Sequence, residues 1–475
     1  MDEATPILTP GIGAALLAIF SVAWIALGIY WGRRAQNLDG YLLAGRNVGL
    51  ALGTATAMAT WVTSNTVMLA PVFALEKGVW GMLAYATASF GLFLFAPVAL
   101  RIRRLMPKGY TSGDFIRLRF GRPAWALFLI ITLVYSMAWL VSMAIAGGKL
   151  LETLAGVPFL WGMTVIVLVC VIYTLMGGMY AVIGTDFIQS VIILIGVLVV
   201  GVAVTSRIEF SEVISSMKTE QPALLNLLMP AALLSLFNNM FFGFGEVFHN
   251  NVWWSRAFAM RGSVVHKGFL LAGVMWLPIP IAAGFIALAA APLGINVTDP
   301  NTVGPLVAAT LLGKGGAMLV FVVVFCSLAS SIDSLLAATA DLFCEDVYRR
   351  MFAPEASEAT LRRVAGFIVV ALGGITWLIC LNEFDLLQVL FLSGPLVASA
   401  IWPVIAGLYW PRTNRAGVVT ALLLGSGIGL WAYYQLGWYT ASLLSAAVSM
   451  TVVSLSTWLF PASAFDWKQL AKSHA

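Results

Sequence analysis

Hydroxyl side chains and one carboxylate interrupt a long apolar stretch of the chain, residues 325–338, which reads FCSLASSIDSLLAA. Within eight residues lie Ser327, Ser330, Ser331, Asp333 and Ser334. At roughly 100° per residue, the four serines fall on one face of a helix. Hydroxyl oxygens on one face, beside free backbone carbonyls, form a cage of neutral oxygen ligands that suits a hard monovalent cation. The alternative is that these serines are polar contacts between closely packed helices.

The acidic residues of this region are expected to have other roles. Asp333 points about 80–100° away from the nearer serines, so it faces a neighbouring helix or a water-filled cavity instead of the same ligand. Three more acidic residues follow at roughly 15 Å or more along the helix axis: Asp341, Glu345 and Asp346. We expect these three at the cytoplasmic mouth, balanced by Arg349 and Arg350.

A second polar cluster lies in residues 52–71, LGTATAMATWVTSNTVMLAP. The run from Thr60 to Thr63 is β-branched and aromatic and has weak helix propensity. A break there would free carbonyl groups at mid-membrane depth, which is tolerated only where they line a cavity or coordinate an ion. The alternative is a continuous helix whose hydroxyls bond back to the preceding turn.

A third segment, residues 173–194, reads YTLMGGMYAVIGTDFIQSVIIL. Gly177 and Gly178 permit a tight turn in it. Asp186 then lies at the start of a helix, where a carboxylate is stabilised. Two interpretations remain open for Asp186, which is either a simple helix cap or a group that reaches the cation cage or its exit route.

Residues 243–261, GFGEVFHNNVWWSRAFAMR, combine ionisable, amide and aromatic side chains. Four of these side chains could bind a solute, gate it or mark the cytoplasmic boundary: Glu246, His249, Asn250 and Asn251. Trp253 and Trp254 suit the interfacial belt, and Arg256 and Arg261 suit the cytoplasmic side of a membrane. The boundary interpretation is therefore favoured for most of this segment.

The elements that position these residues are membrane helices. Of the 475 residues 61% are hydrophobic and only 10% charged, with a mean hydropathy of +0.95, whereas a soluble domain carries roughly 25% charged residues. Apolar windows of about 20 residues recur, each long enough to cross a bilayer. We predict thirteen spans: 11–32, 48–75, 80–100, 124–147, 158–176, 183–205, 227–248, 268–290, 316–345, 364–381, 386–409, 416–436 and 439–461. Pro395 and Pro403 predict a break within span 386–409.

Basic residues determine the expected topology. With the N-terminus outside and the C-terminus in the cytoplasm, most of the 26 Lys and Arg residues lie on the cytoplasmic side. The acidic segment Met1–Pro10 is unlike a cleavable signal peptide. We therefore expect a multi-pass protein of the inner membrane.

The order of the spans predicts an internal repeat. Spans 48–75 and 227–248 each begin a group of five, and an odd repeat in tandem is inverted in the membrane. We expect an all-α protein of about 13 transmembrane helices with a 5+5 inverted repeat. Its regions are a peripheral first helix and cytoplasmic loop (1–47), the first repeat (48–205), an extracellular connector (206–226), the second repeat (227–409), and two peripheral helices with a short cytoplasmic tail (410–475).

Motifs for covalent or ATP-driven chemistry do not occur in the sequence, which has no GxxxxGK[ST] loop, HExxH or GxSxG. The four cysteines, Cys170, Cys326, Cys344 and Cys380, lack metal-ligand spacing, and no disulfide framework is expected. The net charge of +5 is assigned to membrane loops and not to a nucleic-acid surface. We expect no enzyme, with a small solute and membrane lipid as partners and no nucleic acid. The oligomeric state does not follow from the sequence.

Together these motifs resemble the sodium/solute symporter family over nearly the whole chain, from DGYLLAGRNVGLALG (39–53) to IAGLYWPRTNRAG (405–417). The most specific stretches are GGMYAVIGTDFIQ (177–189) and SSIDSLLAATADLFCEDVY (330–348). The resemblance implies the LeuT-type inverted-repeat fold and coupling of solute uptake to Na⁺.

The resemblance also implies site residues. The sodium ligands would be the backbone carbonyls of Met58, Trp61 and Ser327 and the hydroxyls of Ser330 and Ser331, with Asp186 nearby. Asp333 departs from the small neutral residue usual at its position in the family. The urea active transporter branch is most similar, in ATWVTSNT and FGEVFHNNVWWSRAFA. The residues expected to bind solute are Ser64, Asn65, Tyr85 and Asn250.

The resulting hypothesis is a secondary active transporter that imports a small polar solute with Na⁺ by alternating access. Urea or a similar small nitrogenous solute is the preferred candidate. One alternative is a proton-coupled carrier in which Asp186 or Asp333 titrates, and another is a symporter of the same family for an amino acid or a carboxylate. A third is a membrane sensor, against which we weigh the short segment after Pro461, since it carries no kinase module.

Overall fold

The structure is a computed structural model that describes residues 6–226, 228–297, 300–382 and 384–472. The first five and last three residues of the expected terminal regions lie outside the described residues, as does position 227, where the second repeat is expected to begin. The described chain is helical, apart from loops and one isolated β-bridge between Val48 and Met260. The prediction of an all-α membrane protein is thus confirmed.

Twenty α-helices form the described chain. They are α1 (Pro10–Gly32), α2 (Leu38–Leu43), α3 (Leu50–Trp61), α4 (Ser64–Ala86), α5 (Ser89–Leu105), α6 (Ser112–Phe120), α7 (Arg122–Ala155), α8 (Phe159–Thr205), α9 (Phe210–Glu220), α10 (Pro230–His249), α11 (Asn251–Ala259), α12 (Val265–Trp276), α13 (Pro278–Leu288), α14 (Val303–Leu342), α15 (Glu358–Cys380), α16 (Leu386–Leu392), α17 (Gly394–Ser399), α18 (Ile401–Tyr409), α19 (Arg415–Gln435) and α20 (Trp438–Leu459). A π-helix, Phe343–Phe352, continues α14, and short 3₁₀ turns lie at Ala44–Arg46, Pro222–Leu225, Pro300–Thr302 and Trp467–Lys472.

Eleven helical segments of the described chain are long and apolar enough to cross a membrane. Three of them turn at a glycine with non-helical torsion angles, and one of these glycines is Gly313 in α14 (φ 61°, ψ −149°). The other two segments with such a turn, Ser64–Leu105 and Phe159–Thr205, each cover two predicted spans, so the eleven segments correspond to the thirteen predicted spans. In α8 the reversal is at Gly178 (φ 52°, ψ −143°), where a Cβ atom would lie 2.3 Å from the carbonyl oxygen of Tyr41. The segment from α4 to α5 reverses at Gly78 (φ 64°, ψ −141°). Positive φ favours glycine at both positions, and the predicted turn at Gly177–Gly178 is confirmed.

The helix that begins the first predicted repeat is broken in its middle. It ends as α3 at Trp61 and resumes as α4 at Ser64, with Val62 and Thr63 extended between them. Thr63 and Thr66 then form a reciprocal capping box at the start of α4. The predicted break in this segment is therefore confirmed.

The helix that begins the second predicted repeat is broken as well. It ends as α10 at His249 and resumes as α11 at Asn251, with Asn250 extended between them. The Asn250 side chain caps α11 by accepting from the backbone N–H of Val252 at 2.9 Å. This break was not predicted, because the sequence in this region was interpreted as the cytoplasmic end of the span.

The packing places α14 at the centre of the molecule, nearly all buried, whereas α1, α15 and α20 are exposed over much of their surface. Large apolar side chains such as those of Leu198, Phe367 and Trp458 are exposed, as expected for helix faces in contact with lipid. Span 386–409 is interrupted at Ser393 and Ala400 between α16, α17 and α18, which confirms the predicted break. The boundaries of the two repeats remain a prediction.

Candidate functional site

The serine face of α14 meets the broken end of α3. The Ser330 hydroxyl donates to the carbonyl oxygen of Ala59 at 2.9 Å, and the Ser331 hydroxyl donates to that of Thr60 at 3.0 Å. Because α3 stops at Trp61, carbonyl groups of its last turn lack the partners that a continuing helix would supply. The break and the serine face therefore bring hydroxyl and carbonyl oxygens together in a buried site.

The remaining predicted ligands lie around the same contact. The Ser327 carbonyl lies 3.1 and 2.9 Å from the hydroxyl oxygens of Ser330 and Ser331, so each hydroxyl, which has a single proton, can donate either to Ser327 or to the carbonyl across the break. The Met58 carbonyl accepts from the backbone N–H of Val62, the first residue of the break, at 3.0 Å. The Trp61 carbonyl accepts from the indole N–H of Trp276 at 2.8 Å. The carbonyls of α3 that contact the serine hydroxyls are therefore those of Ala59 and Thr60, whereas the predicted carbonyls of Met58 and Trp61 in the same turn have other partners. The role of the five predicted ligands in binding Na⁺ remains a prediction.

A buried ion pair lies beside this site. The Arg256 guanidinium contacts the Asp186 carboxylate at 3.2 Å, and both side chains are inaccessible to solvent. Asp186 also accepts from the Thr56 hydroxyl at 2.5 Å. Arg256 donates to the Thr60 hydroxyl at 2.5 Å and to the Ser334 hydroxyl at 2.6 Å. The expectation that Asp186 lies at the start of a helix is wrong, because the helix resumes directly after Gly178 and Asp186 lies two turns inside it. Asp186 is therefore not a helix cap, and its ion pair with Arg256 connects α8, α11, α3 and α14.

Asp333 lies off the serine face, as predicted, and is buried. One carboxylate oxygen accepts from the Ser334 hydroxyl at 3.2 Å, and the other makes no hydrogen bond among the described residues. The nearest groups on α8 are Tyr173, whose hydroxyl donates to the Ala329 carbonyl at 2.8 Å, and Cys170. Asp333 thus lies near the first half of α8, and its charge acts on Arg256 together with that of Asp186.

The boundary interpretation of residues 243–261 is wrong for most of this segment. Trp253, Trp254 and Arg256 are fully buried, and Glu246 is also inside the protein. The reason is the break at Asn250, which continues the chain as α11 inside the helix bundle. A tryptophan pair followed by arginine looks like an interfacial belt in sequence, and only the consecutive amides before it hinted at a break.

A closed cavity lies between α3–α4, α7, α10, α12 and α16. Its lining is mainly aromatic, with a few polar side chains: Trp61, Thr66, Tyr85, Ala88, Trp139, Asn239, Phe242, Glu246, Trp276, Leu390 and Phe391. In this conformation its volume is about 20 Å³, room for one ordered water. The enclosing helices therefore have to separate before a larger solute can enter. We call this space the central cavity.

Three polar side chains give the central cavity its chemistry. The Asn239 amide nitrogen donates to the carbonyls of Ala84 and Tyr85 at 2.8 and 3.1 Å, which leaves its side-chain oxygen as an acceptor. The Trp139 indole N–H is buried without a hydrogen-bond partner among the described residues. Glu246 supplies the one carboxylate of the lining.

The four residues predicted to bind solute are not all brought together. Tyr85 lines the central cavity. Ser64 and Asn65 belong to the first turn of α4 and are not among the lining residues, and the Asn65 amide nitrogen donates to Ser142 of α7 at 2.9 Å. Asn250 caps α11. Sequence reasoning missed Asn239, although its spacing of seven residues from Glu246 places both on one helix face.

An open vestibule lies on the other side of an aromatic cluster. The vestibule has a volume of about 520 Å³, and Glu76, Asp385, Gln388 and Trp438 are among its lining residues. Trp438 stacks on Phe73 with ring centroids 4.9 Å apart and contacts Phe391 at 4.7 Å. Because Phe391 also lines the central cavity, these three rings separate the two spaces. We call them the aromatic plug.

The opposite end of the bundle is closed by polar contacts. Arg350 pairs with Asp114 and lies 3.8 Å from Asp346, and Asp346 also accepts from the Trp125 indole N–H at 3.1 Å. Glu345 pairs with Arg349 at 3.1 Å. The predicted balance by Arg349 and Arg350 is confirmed for Glu345 and Asp346 but not for Asp341, which forms no ion pair among the described residues. Asp114 is an additional member of the network.

A broken membrane helix, a buried oxygen cluster at the break and an aromatic cavity next to it define a solute transporter of the LeuT-like class. The sodium:solute symporter family model matches residues 41–425. The chain therefore belongs to the sodium:solute symporter family. Since the family and its members are transporters, the expectation that the protein is not an enzyme is confirmed.

Similar proteins include several urea transporters. The chain is 26% identical to the urea-proton symporter DUR3 of Oryza sativa subsp. japonica, over 90% of this chain and 65% of the relative. It is 23% identical to the urea active transporter of Saccharomyces cerevisiae, over 99% of this chain and 72% of the relative. The sodium/pantothenate symporter of Escherichia coli is 25% identical, over 86% and 88%. The chain thus spans about two thirds of the length of these urea transporters.

Solved structures show the same fold. A substrate-bound, outward-open Na⁺-coupled sialic acid symporter matches with a TM-score of 0.81 at 18% identity, over 96% of this chain and 99% of that chain. Mhp1, a nucleobase-cation-symport-1 family transporter in a closed conformation, matches with a TM-score of 0.56 at 14% identity, over 91% and 98%. The predicted LeuT-like fold is confirmed by the first of these similarities.

Proposed function

We propose that the protein imports a small polar, nitrogen-containing solute, with urea as the first candidate, together with Na⁺ by alternating access. The observation that carries this proposal is the contact of the Ser330 and Ser331 hydroxyls with carbonyls of the broken helix end, at 2.9 and 3.0 Å. Neutral oxygen ligands of this kind suit a monovalent cation that must leave again in each cycle.

The break couples the ion site to the solute site in this proposal. The last turn of α3 supplies carbonyls to the ion site, while the side chain of Trp61 lines the central cavity. When Na⁺ binds, the two serine hydroxyls turn their oxygens to the ion. The Trp61 carbonyl gives up its hydrogen bond from the Trp276 N–H and binds the ion in its place. The Trp61 and Trp276 rings, with centroids 5.9 Å apart, then move with the ion site.

The paths to the two sides follow from the proposed topology, with the N-terminus outside and the C-terminus in the cytoplasm. Solute enters from the vestibule after the aromatic plug opens. In this topology the cytoplasmic side is the side from which α3 enters the membrane, and the Asp186–Arg256 pair contacts Thr56 and Thr60 of α3. We therefore assign the pair to the route by which Na⁺ leaves. The contacts of the pair to Thr56 and Thr60 change when α3 moves, so the ion pair senses the conformation of the broken helix.

Proton coupling is the second candidate, because one of the similar proteins is a urea-proton symporter. Asp186 and Asp333 are buried carboxyl groups beside the proposed ion site, and each keeps one oxygen without a hydrogen bond among the described residues. The two candidates differ in the gradient that drives uptake.

Radiolabelled urea uptake into proteoliposomes tests the proposal, with a Na⁺ gradient and a pH gradient imposed separately at fixed membrane potential. We expect an inward Na⁺ gradient to drive accumulation at equal pH on both sides. Accumulation with a pH gradient alone, and none with Na⁺ alone, would assign the coupling to protons. A panel with amino acids and carboxylates in the same assay tests the solute.

A further inference from the structure

We propose that Glu246 is the main solute-binding acceptor of the central cavity, and that it selects flat solutes with N–H groups along one edge, such as urea and simple amides. The inference rests on the proposed function and narrows its solute class. Its basis is the set of donors and acceptors that line the central cavity.

The position of Glu246 on α10 directs it to this cavity. Asn239, Phe242 and Glu246 follow one another at spacings of three and four residues, so they share one face of the helix, and all three line the cavity. The break at Asn250 comes one turn after Glu246, so α10 ends beside the proposed solute position. The amide of Asn239, the ring of Phe242 and the carboxylate of Glu246 thus lie in a row along the cavity wall.

Glu246 is buried without an ionic partner. Only 7% of its surface is exposed, and it takes part in no ion pair of the described residues. The Tyr135 hydroxyl and the Trp253 indole N–H are buried donors near its carboxyl group, and neither makes a hydrogen bond among the described residues. A carboxylate has about four acceptor positions, so two donors leave capacity for two N–H groups of a solute.

The other polar groups of the cavity complete this pattern. The unpartnered N–H of Trp139 can donate to a solute carbonyl, and the free side-chain oxygen of Asn239 can accept from a further N–H. The rings of Trp61, Trp276 and Tyr85 provide flat walls. The Trp276 ring centroid lies 5.9 Å from that of Trp61 and 6.3 Å from that of Tyr85. A flat molecule with one carbonyl and N–H groups matches this arrangement.

The same lining disfavours solutes with a carboxylate. Lys, Arg and His are absent from the residues that line the cavity, and Glu246 would repel a second carboxylate at close range. Solutes with a carboxylate and no ammonium group, such as the pantothenate that a similar protein carries according to its name, are therefore disfavoured in the central cavity of this protein.

Competition against radiolabelled urea in wild-type proteoliposomes tests this inference without any substitution. We expect inhibition by unlabelled urea, acetamide and methylurea, weaker inhibition by 1,1-dimethylurea, and none by tetramethylurea, which has no N–H group. Pantothenate should not compete. Inhibition by tetramethylurea as strong as that by urea would overturn the role of N–H donors.

Glu246→Gln tests the residue itself, since it preserves size but replaces one acceptor oxygen with a donor. We expect the half-saturating urea concentration to rise about tenfold or more, because bonds to charged groups are the strong ones. Glu212→Gln, on the exposed surface of α9, is the matched control and should behave as wild type. Gel filtration and the thermal unfolding midpoint show whether each variant is folded.

The outcomes separate this inference from the proposed function. If the folded Glu246→Gln variant takes up urea with the same half-saturating concentration as the wild-type protein, the inference is overturned and the proposed function stands. Gradient-driven uptake of an amino acid or carboxylate, with no effect of urea or amides, would overturn the inference and retain symport. If no solute of the panel is taken up under either gradient, the proposed function fails.

Discussion

Removal of the two hydroxyls that face the broken helix should weaken Na⁺ dependence strongly while leaving the protein folded. Ser330→Ala with Ser331→Ala deletes two of the five proposed ligand oxygens, and both are side-chain atoms that can be removed without moving the backbone. Each hydroxyl also donates to a carbonyl across the break in the described conformation, at 2.9 and 3.0 Å. The substitution therefore affects the ion-free and the ion-bound state by different amounts.

The difference between these two states gives the expected magnitude. A neutral hydrogen bond contributes about 1 kcal/mol net, whereas one to a charged group contributes about 1.5–3 kcal/mol. The loss in the Na⁺-bound state thus exceeds the loss in the ion-free state by about 1.4 kcal/mol per hydroxyl, which is tenfold in affinity. For the pair we expect an increase of about 100-fold in half-saturating Na⁺, with some non-additivity because the residues are neighbours.

The assay is initial urea uptake into proteoliposomes as a function of Na⁺ concentration, for the double variant and both single variants. Ser215→Ala with Ser216→Ala is a matched control, since it alters another adjacent serine pair on the outer helix α9. Alanine has the higher helix propensity, so α14 should remain intact and the unfolding midpoint should fall only slightly. Wild-type Na⁺ dependence in the folded double variant would refute the assignment of the site.

Three further predictions address the surroundings of the site. Asp186→Asn and Arg256→Met should each lower the unfolding midpoint markedly, by about 3–5 kcal/mol in stability, because each leaves a buried charge unpaired, and the double variant should recover much of the loss. Additive losses in that cycle would exclude a direct interaction. Asp186→Asn should also raise half-saturating Na⁺, and an unchanged value would leave Asp186 a purely structural partner. Trp438→Ala should open the aromatic plug, so a Thr66→Cys reporter in the central cavity should react faster with an impermeant maleimide from the vestibule side. The native cysteines of the described chain are buried, Trp458→Ala is the lipid-exposed control, and equal labelling rates would contradict the role of the plug.

Much of the fold could be predicted from the sequence, because each membrane span is a long apolar segment that can be recognised from its own residues, without knowledge of the helices that pack against it. The break at Val62–Thr63 was predictable because β-branched, aromatic and hydroxyl residues weaken the helix at one point. The break at Asn250 was harder to predict from the sequence. The residues immediately before it have no proline and no cluster of hydroxyl side chains to indicate the position of a break, and the next aromatic and basic residues fit equally well at a membrane surface.

The site could be predicted in part for the same reason. The serine face of α14 follows from helix periodicity alone, and the family resemblance supplied the carbonyls of α3. By contrast, the partner of Asp186 is Arg256, seventy positions later in the chain, and no local pattern relates the two. Glu246 and Asn239 were missed as a pair because the helix face they share becomes a cavity wall only when α7 and α12 pack against it.

The central claim is that Na⁺ and solute cross the membrane together. It is tested most directly by asking whether a urea gradient drives the uptake of Na⁺. Proteoliposomes with equal Na⁺ on both sides receive an inward urea gradient, at constant pH and clamped membrane potential, and ²²Na⁺ uptake is measured. Because coupling is reciprocal, we predict transient ²²Na⁺ accumulation above equilibrium in wild type and none in the Ser330→Ala, Ser331→Ala double variant. Urea entry without any ²²Na⁺ accumulation in wild type would contradict the account.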